Sequence, residues 1–254
     1  MKKIIFIFLG TFFTLSVQAG VVMVSDQIMS FQGQPMKNQA KVYIDQDKSR
    51  VDLLGGMMGD HMMIYRKDKG VMWMIDAQKN TYIETTSAEL NQGASQMEEK
   101  TKQMREKLAA QGIKLPPAPP PPSKPTYKKI ASGEKVGSWT CDHFEGTTDG
   151  KKTQDIWTAA PSDLGLTEAD YQMMKNLGES MKNSKSSSSM PFFGEGGLTG
   201  IPVKFVYYSA NGGNVTNEVR QITHQDTPSS LFEIPAGMKK MEVPNYQNFK
   251  LPNH

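Results

Sequence analysis

The residues best suited to chemistry in this sequence are a histidine and several methionines between positions 55 and 63. This stretch reads Gly-Gly-Met-Met-Gly-Asp-His-Met-Met. Thioether sulfur and imidazole nitrogen favour soft ions such as Cu(I) and Ag(I), so His61 with Met58, Met62 and Met63 is one candidate metal site. Because Met62 and Met63 begin a predicted strand, they point to opposite faces and only one of them can join a given site. The alternative is that these methionines line an adaptable apolar surface.

A second candidate pair is Cys141 with His143, which strand alternation places on one face. A histidine beside a cysteine can activate a thiolate or bind a soft metal. The alternative is a buried, unreactive cysteine on an ordinary sheet face. The sequence has a single cysteine, so it cannot form an internal disulfide.

The common catalytic and cofactor motifs are missing from the sequence. We find no GxSxG, HExxH or CxxC pattern and no phosphate-binding glycine-lysine loop. No pair of carboxylates has a spacing that singles it out for acid–base work. We therefore expect a protein without catalytic activity and without a cofactor.

Aromatic residues and methionines on short predicted strands indicate a third kind of site, for an apolar ligand. Side chains of these types line most small-molecule pockets, and methionine adapts well to irregular ligands. The alternative is that each of these residues packs in the core, since neighbours on a strand face opposite ways. The candidate wall residues are Met72, Trp73, Met74, Trp139, Phe205 and Tyr207.

An antiparallel sheet must position these residues, because short strand-like runs alternate with polar turns over most of the chain. Residues 20–86 read as strands joined by tight turns, and residues 203–223 read as a hairpin. One strand is predicted over Lys135–Glu145, and Thr148-Asp149-Gly150 predicts the turn that follows it. A last strand is predicted at Leu231–Gly237.

Two helices interrupt the predicted strands. Thr86-Ser87-Ala88-Glu89 fits a capping box, and apolar residues then recur at steps of three and four to about position 111. This helix has a narrow apolar face, so we expect most of it to contact water. Thr167-Glu168-Ala169-Asp170 opens the second helix, over about 167–182, which turns Tyr171, Met174 and Leu177 inward.

Residues 1–19 are typical of an export signal. Met1-Lys2-Lys3 is basic, an apolar run follows, and small residues precede a cleavage site after Ala19. Loss of Lys2 and Lys3 lowers the formal net charge from +3 to +1, which argues against a nucleic-acid partner. No later apolar run is long enough for a transmembrane segment in the mature chain. We expect a periplasmic protein, with secretion as the second choice.

We expect residues 20–246 to form a single domain. Residues 115–125 are proline-rich and predict a semi-rigid spacer or, as an alternative, a docking segment for a partner. Residues 183–200 form a loop rich in serine and glycine, and residues 247–254 form a tail.

Three segments resemble the periplasmic carriers of outer-membrane lipoproteins, the LolA/LolB-like superfamily. The first is the hairpin Ile64-Tyr65-Arg66-Lys67-Asp68-Lys69-Gly70-Val71-Met72-Trp73-Met74-Ile75-Asp76, closed by Thr81-Tyr82. The second, Leu231-Phe232-Glu233-Ile234-Pro235-Ala236-Gly237-Met238, is similar to the carriers' closing strand. The third is Val42 to Val51, which resembles an earlier strand pair. A bacterial family of unknown function with the same half-barrel signatures shares all three.

The resemblance implies an α+β fold in which an incomplete, half-open antiparallel β-barrel wraps around two or more helices. It also implies a concave apolar side that holds acyl chains, with Trp73 as a wall residue. The leading hypothesis is a non-catalytic periplasmic binding protein for a lipid or acyl chain, held between sheet and helices. The alternatives are a soft-metal binder and an interaction protein of the cell envelope with a protein partner.

Overall fold

The computed structural model describes residues 20–31, 34–55, 60–110, 123–182, 196–209 and 212–242. The predicted leader, the tail, Met58, and most of the proline spacer and of the serine/glycine loop lie outside these residues. Two α-helices are described, α1 (Ser87–Ala110) and α2 (Glu168–Lys182), together with 3-10 helices at Pro161–Leu164 and Ser229–Phe232. The described strands are β1 (Gly20–Phe31), β2 (Gln34–Asp45), β3 (Lys48–Leu54), β4 (His61–Arg66), β5 (Val71–Asp76), β6 (Thr81–Thr86), β7 (Thr126–Val136), β8 (Trp139–Thr148), β9 (Lys151–Ala159), β10 (Ile201–Tyr208), β11 (Asn214–Gln225) and β12 (Lys239–Met241).

All twelve described strands belong to one sheet, in the order β12-β6-β5-β4-β3-β2-β1-β11-β10-β9-β8-β7. Neighbouring strands are antiparallel except for β12, which runs parallel to β6. The sheet does not close on itself, because β7 and β12 are edge strands that are not paired with each other. The predicted antiparallel, incompletely closed sheet with two helices is confirmed at this level.

Tight turns with left-handed residues set the register of the hairpins. At the β8–β9 turn, Asp149 and Gly150 have φ angles of 51° and 72°. Positive φ at both central residues matches the right-handed twist of the flanking strands. The turn predicted from Thr148-Asp149-Gly150 is therefore present, and β8 and β9 pair from Thr148 and Lys151 onward.

The single strand predicted over Lys135–Glu145 is wrong, because a hairpin breaks it. β7 ends at Val136 and β8 begins at Trp139, and these two residues pair across the turn. Gly137 has a φ of 57°, which glycine adopts without the steric cost that a side chain would add. The prediction extended the alternation of Trp139, Cys141 and His143 back across the turn to Lys135.

Both α-helices begin with reciprocal capping contacts. Thr86 donates its backbone N–H to Glu89 Oε2 at 2.7 Å, and Glu89 N–H donates to Thr86 Oγ1 at 3.1 Å. Thr167 and Asp170 make the same pair of bonds at the start of α2. Both predicted helix starts are thus confirmed. Among the described residues, no helix combines the length and apolarity that crossing a membrane requires.

Helix α2 packs against one face of the sheet, which we call the helix face. Met174 and Leu177 of α2 are buried there in one cluster with Val21, Ile44 and Tyr65, and Tyr171 packs against it. The cluster also includes Val136, Cys141, Ala159, Ile201 and Val203, which lie on β7 to β10. Residues of α2 and of strands that are far apart in the sheet order therefore belong to one buried cluster.

The opposite face is covered by residues 229–238. Phe232 is fully buried against Ile64, Trp73 and Ile75. Arg66 fixes this segment by donating to the carbonyl oxygen of Phe232 at 3.2 Å. The predicted final strand at Leu231–Gly237 is therefore wrong: the chain forms a 3-10 helix on the face of the sheet, and only β12 rejoins its edge.

Two prolines explain this departure from the predicted strand. Pro228 precedes the 3-10 helix, and Pro235 follows Phe232 by three residues. Proline lacks the N–H that a sheet ladder needs, so this segment is a poor strand. Its single large aromatic side chain instead anchors it through burial.

Candidate functional site

An apolar row crosses seven strands of the helix face. Its members are partners in the sheet register, one from each of β6, β5, β4, β3, β2, β1 and β11. Side chains at paired positions on neighbouring strands lie side by side on the same face. In this order the row consists of Ile83, Met74, Met63, Val51, Val42, Met23 and Ile222.

The two halves of the row differ in their cover. Met23, Val42 and Ile222 pack against the α2 cluster. The other four, Val51, Met63, Met74 and Ile83, belong to none of the buried clusters formed by the described residues. We call these four the open apolar row. Met74, one of the two inner members of this row, is 45% exposed. Leu53, two residues after Val51 on the same face of β3, is also exposed.

The boundary between the halves follows from the position of α2. Tyr65 and Met72 form the adjacent pair one step along β4 and β5, and both belong to the α2 cluster or pack against it. The helix thus covers one end of these two strands and leaves Met63 and Met74, two residues away, uncovered by it. On β4 and β5, therefore, a side chain that packs in the α2 cluster is followed two residues later by an apolar side chain outside it.

The six predicted wall residues do not form one group. Met72 and Met74 lie on the helix face of β5. Phe205 lies on β10, pairs with Ile156 of β9 and packs against a separate buried cluster that includes Phe144. Tyr207 follows Phe205 by two residues on the same strand. Six strand intervals separate β5 from β10 in the sheet order, which is about 29 Å along the sheet at ~4.8 Å per strand. The two groups therefore line different regions of the sheet.

The two tryptophans occupy different surroundings. Trp73 lies on the opposite face, 5% exposed beside Phe232, and its Nε1 donates to Glu84 Oε2 at 2.8 Å. Trp73 therefore cannot share a site with Met72 and Met74. Trp139 packs partly buried against the α2 cluster at the start of β8.

The proposed soft-metal residues are also divided by the sheet. His61 and Met63 alternate onto the helix face of β4, whereas Met62 points to the opposite face and packs against the Phe232 cluster. Met58 is outside the described residues. In the described part of the chain, no group of three or more His, Cys, Asp and Glu side chains is arranged to hold a metal ion.

Cys141 and His143 share one face of β8 but form no activated pair. Cys141 is 2% exposed, and burial raises the pKa of its thiol, which disfavours the thiolate. His143 instead lies between two carboxylates, with Nδ1 3.2 Å from Glu134 Oε1 and Nε2 3.0 Å from Asp155 Oδ1. The geometry therefore favours the unreactive interpretation of the cysteine.

A polar network on β7 to β10 went unnoticed in the sequence. Asp155 is buried and accepts hydrogen bonds from Lys152 Nζ and Tyr208 Oη, both at 2.7 Å. Burial alone would raise the pKa of Asp155, but these contacts and the one from His143 outweigh it and lower the pKa. Since Asp155 has its donors within the protein, the network ties strands together and offers no vacant group for a ligand.

Val51 and Ile83 are members of the open apolar row that were not among the predicted site residues. Each alternates with polar neighbours on a short strand, which is a signal for a side chain on one face. The signal that was absent is the register across β3 to β6, because only the paired positions show that Val51 and Ile83 flank Met63 and Met74.

Comparison with known proteins places these features in context. Residues 118–238 match the model of a domain of unknown function, DUF4412, which covers slightly less than half of the chain. No curated protein is a significant match to the sequence.

Three solved structures illustrate the likeness of the whole chain. An uncharacterized conserved protein from Thermus thermophilus is 8% identical, with a TM-score of 0.48 over 89% of this chain and 91% of that one. A LolA superfamily protein from Nitrosomonas europaea is 9% identical, with a TM-score of 0.34 over 85% and 90%. A putative outer membrane lipoprotein-sorting protein domain from Vibrio parahaemolyticus is 9% identical, with a TM-score of 0.32 over 85% and 89%. The chain is similar to these LolA superfamily proteins at low sequence identity.

Proposed function

We propose that this protein is a non-catalytic binding protein for an apolar ligand, a lipid or acyl chain. The ligand lies on the helix face of the sheet, across the open apolar row. The proposal includes export through the leader at residues 1–19 and action in the periplasm.

The observation that carries the proposal is the open apolar row itself. Four apolar side chains from four consecutive strands lie side by side, and Met74 at their centre is nearly half exposed. Covering apolar surface contributes about 25 cal/mol per Å², or ~0.8 kcal/mol for each buried CH₂ group of a ligand. A linear hydrocarbon chain is the ligand shape that fits a linear row of this kind.

The position of α2 supports a curved sheet of half-barrel type around the helix. With 15 residues, α2 is about 22 Å long. Its cluster includes Tyr65 of β4 and Cys141 of β8, which are seven strand intervals apart, or about 34 Å on a flat sheet at ~4.8 Å per strand. Curvature of the sheet toward α2 brings such distant strands to one helix, and the open apolar row then lies on the concave side.

The side chains with catalytic potential support a binding role. Cys141 is buried with a raised thiol pKa, and His143 and Asp155 are engaged in hydrogen bonds within the protein. None of these three side chains lies beside Met63 and Met74. His61 does lie beside Met63 on β4, and we propose binding rather than chemistry for this part of the helix face.

A fluorescent long-chain fatty acid tests the proposal. We expect saturable binding to the wild-type protein, and Met74→Glu should weaken it at least tenfold, because a carboxylate would be placed against the hydrocarbon chain. Ile130→Glu is the matched control: Ile130 is also an apolar strand residue, 49% exposed, but lies on β7 at the other edge of the sheet. No saturable binding to the wild type, or equal affinity in Met74→Glu and the wild type, would refute the proposal.

Native mass spectrometry gives an independent test. Protein purified gently from the periplasm of its own source should carry additional mass that organic extraction removes. Recovery of ligand-free protein alone would count against a lipid-binding role.

A further inference from the structure

We infer that His61, Met63 and Met74 form a binding site for a soft monovalent metal ion, Cu(I) or Ag(I). The inference does not depend on the proposed lipid-binding function. It arises from the pairing of β4 with β5, in which His61 faces Asp76 and Met63 faces Met74. All four side chains lie on the helix face, so these four residues form the corners of a rectangle.

The spacing of the side chains in this rectangle suits one metal ion. Directly opposed residues on antiparallel strands have Cβ atoms about 4.5–5.5 Å apart. Successive residues on one face of a strand, such as His61 and Met63, are about 6.8 Å apart at ~3.4 Å per residue. Methionine has three rotatable bonds, so both sulfur atoms can turn toward a point between the strands. An imidazole nitrogen and two thioether sulfurs then converge there.

The chemistry of these three ligands selects the ion. Thioether and imidazole groups are neutral, and thioethers in particular favour soft ions such as Cu(I) over Zn(II), Mg²⁺ or Ca²⁺. The surroundings of the site agree with this choice, since Val51 pairs with Met63 and Ile83 pairs with Met74. An apolar rim of this kind offers no carboxylate to attract a hard divalent ion at these two positions.

Asp76 completes the site as a positioning residue. Histidines that bind metals commonly donate their other ring N–H to a carboxylate, which fixes the orientation of the ring. Asp76 is directly opposite His61 in the register, and its own carboxylate is held by Lys79, through N–H at 3.0 Å and Nζ at 2.6 Å. The carboxylate is therefore already anchored beside the imidazole.

Access to the site follows from exposure. Met74 is exposed, and His61 and Met63 are half-buried, so an ion or a donor molecule can reach the sulfur atoms without unfolding. Met62 lies between His61 and Met63 in the sequence, but its side chain packs on the opposite face against the Phe232 cluster. The structure thus separates ligand from non-ligand methionines within three consecutive residues.

Titration of the full-length protein with Ag(I), and with Cu(I) under anaerobic conditions against a chromophoric Cu(I) chelator, tests the inference. We expect one ion per chain in the wild type. Met63→Leu, Met74→Leu and His61→Phe should each weaken binding at least tenfold, whereas Met62→Leu should leave it unchanged. Zn(II) should not compete.

His61 belongs to the proposed metal site but not to the open apolar row, which separates this inference from the lipid-binding proposal. His61→Phe should retain affinity for the fluorescent fatty acid while losing affinity for Ag(I). Absence of Ag(I) binding in the wild type, or equal Ag(I) affinity in Met74→Leu and Met62→Leu, would overturn the metal site and leave the lipid proposal standing. Circular dichroism of each variant shows whether lost binding reflects lost folding. A folded Met63→Leu protein that still binds Ag(I) like the wild type would equally overturn the metal site.

Discussion

Phe232 is predicted to be the anchor that holds residues 229–238 on the sheet. Its side chain is fully buried against Ile64, Trp73 and Ile75, and the segment makes few other apolar contacts of this depth. Replacing a buried phenylalanine by alanine removes the transfer energy of the ring and leaves a cavity, which together cost about 3–5 kcal/mol. We therefore expect Phe232→Ala to lower the free energy of unfolding by an amount in this range.

The neighbouring residue supplies the control for this prediction. Leu231 is half-buried at the margin of the same cluster, so Leu231→Ala should cost about 1 kcal/mol. Urea denaturation followed by circular dichroism measures both values. Hydrogen exchange should also show earlier opening at β12, because Lys239 N–H, bonded to the Asn80 carbonyl at 2.9 Å, follows this segment directly. If Phe232→Ala costs no more than Leu231→Ala, Phe232 is not the anchor and the assignment of this segment to the opposite face is mistaken.

Three further predictions concern charge, the thiol and a helix cap. Arg66 lowers the pKa of Asp68 to about 2 through a hydrogen-bonded ion pair, so the pair stabilises the fold above the ordinary Asp pKa of 3.8 and loses this effect as pH falls through about 2. Asp68→Asn should therefore destabilise by about 1 kcal/mol at pH 7, a value kept small because Asp68 is partly exposed. The difference from the wild type should shrink in acid denaturation below about pH 2, and a pH-independent difference would contradict the assignment. Cys141 should react with a thiol reagent only as fast as the protein unfolds, because the thiol is buried with a raised pKa, and rapid labelling of the native protein would contradict this. Thr86→Ala should lower the free energy of unfolding by about 1 kcal/mol, because it removes the cap of α1. Thermal unfolding measures this change, with Thr85→Ser as a control. An unchanged melting temperature would show that the cap does not hold the helix.

The elements with strong local signals could be predicted from the sequence. The capping residues Thr86 and Thr167 marked the starts of both helices, because a cap is a contact between residues three apart. The Asp149-Gly150 turn was visible for the same reason, since its positive φ angles require particular residue types at adjacent positions. Such features depend on neighbours in the chain, so the sequence alone determines them.

Features that depend on distant residues could not be predicted in the same way. The turn at Gly137 was not predicted, and the pairing of Val136 with Trp139 reveals the hairpin. Phe232 was expected in a strand, and its packing against Trp73 depends on residues more than 150 positions away. Burial of one large side chain here determines the conformation more strongly than the β-propensity of the segment.

The candidate site illustrates the same division. Alternation separated Met62 from Met63, because the side-chain period of a strand is two. Alternation could not show that Trp73 faces away from the α2 side, nor that Val51, Met63, Met74 and Ile83 form one row. The register of four strands decides that arrangement, and register is a property of the folded sheet.

The most direct test of the central claim is a titration of the wild-type protein with oleic acid, followed by NMR of its ¹³C-labelled methionine methyl groups. A ligand on the open apolar row should shift the methyl resonances of Met63 and Met74 saturably. It should leave Met62 and Met238, which pack against the Phe232 cluster on the opposite face, unchanged. Saturable shifts at Met62 or Met238 without shifts at Met63 and Met74, or no saturable shift at all, would contradict the account.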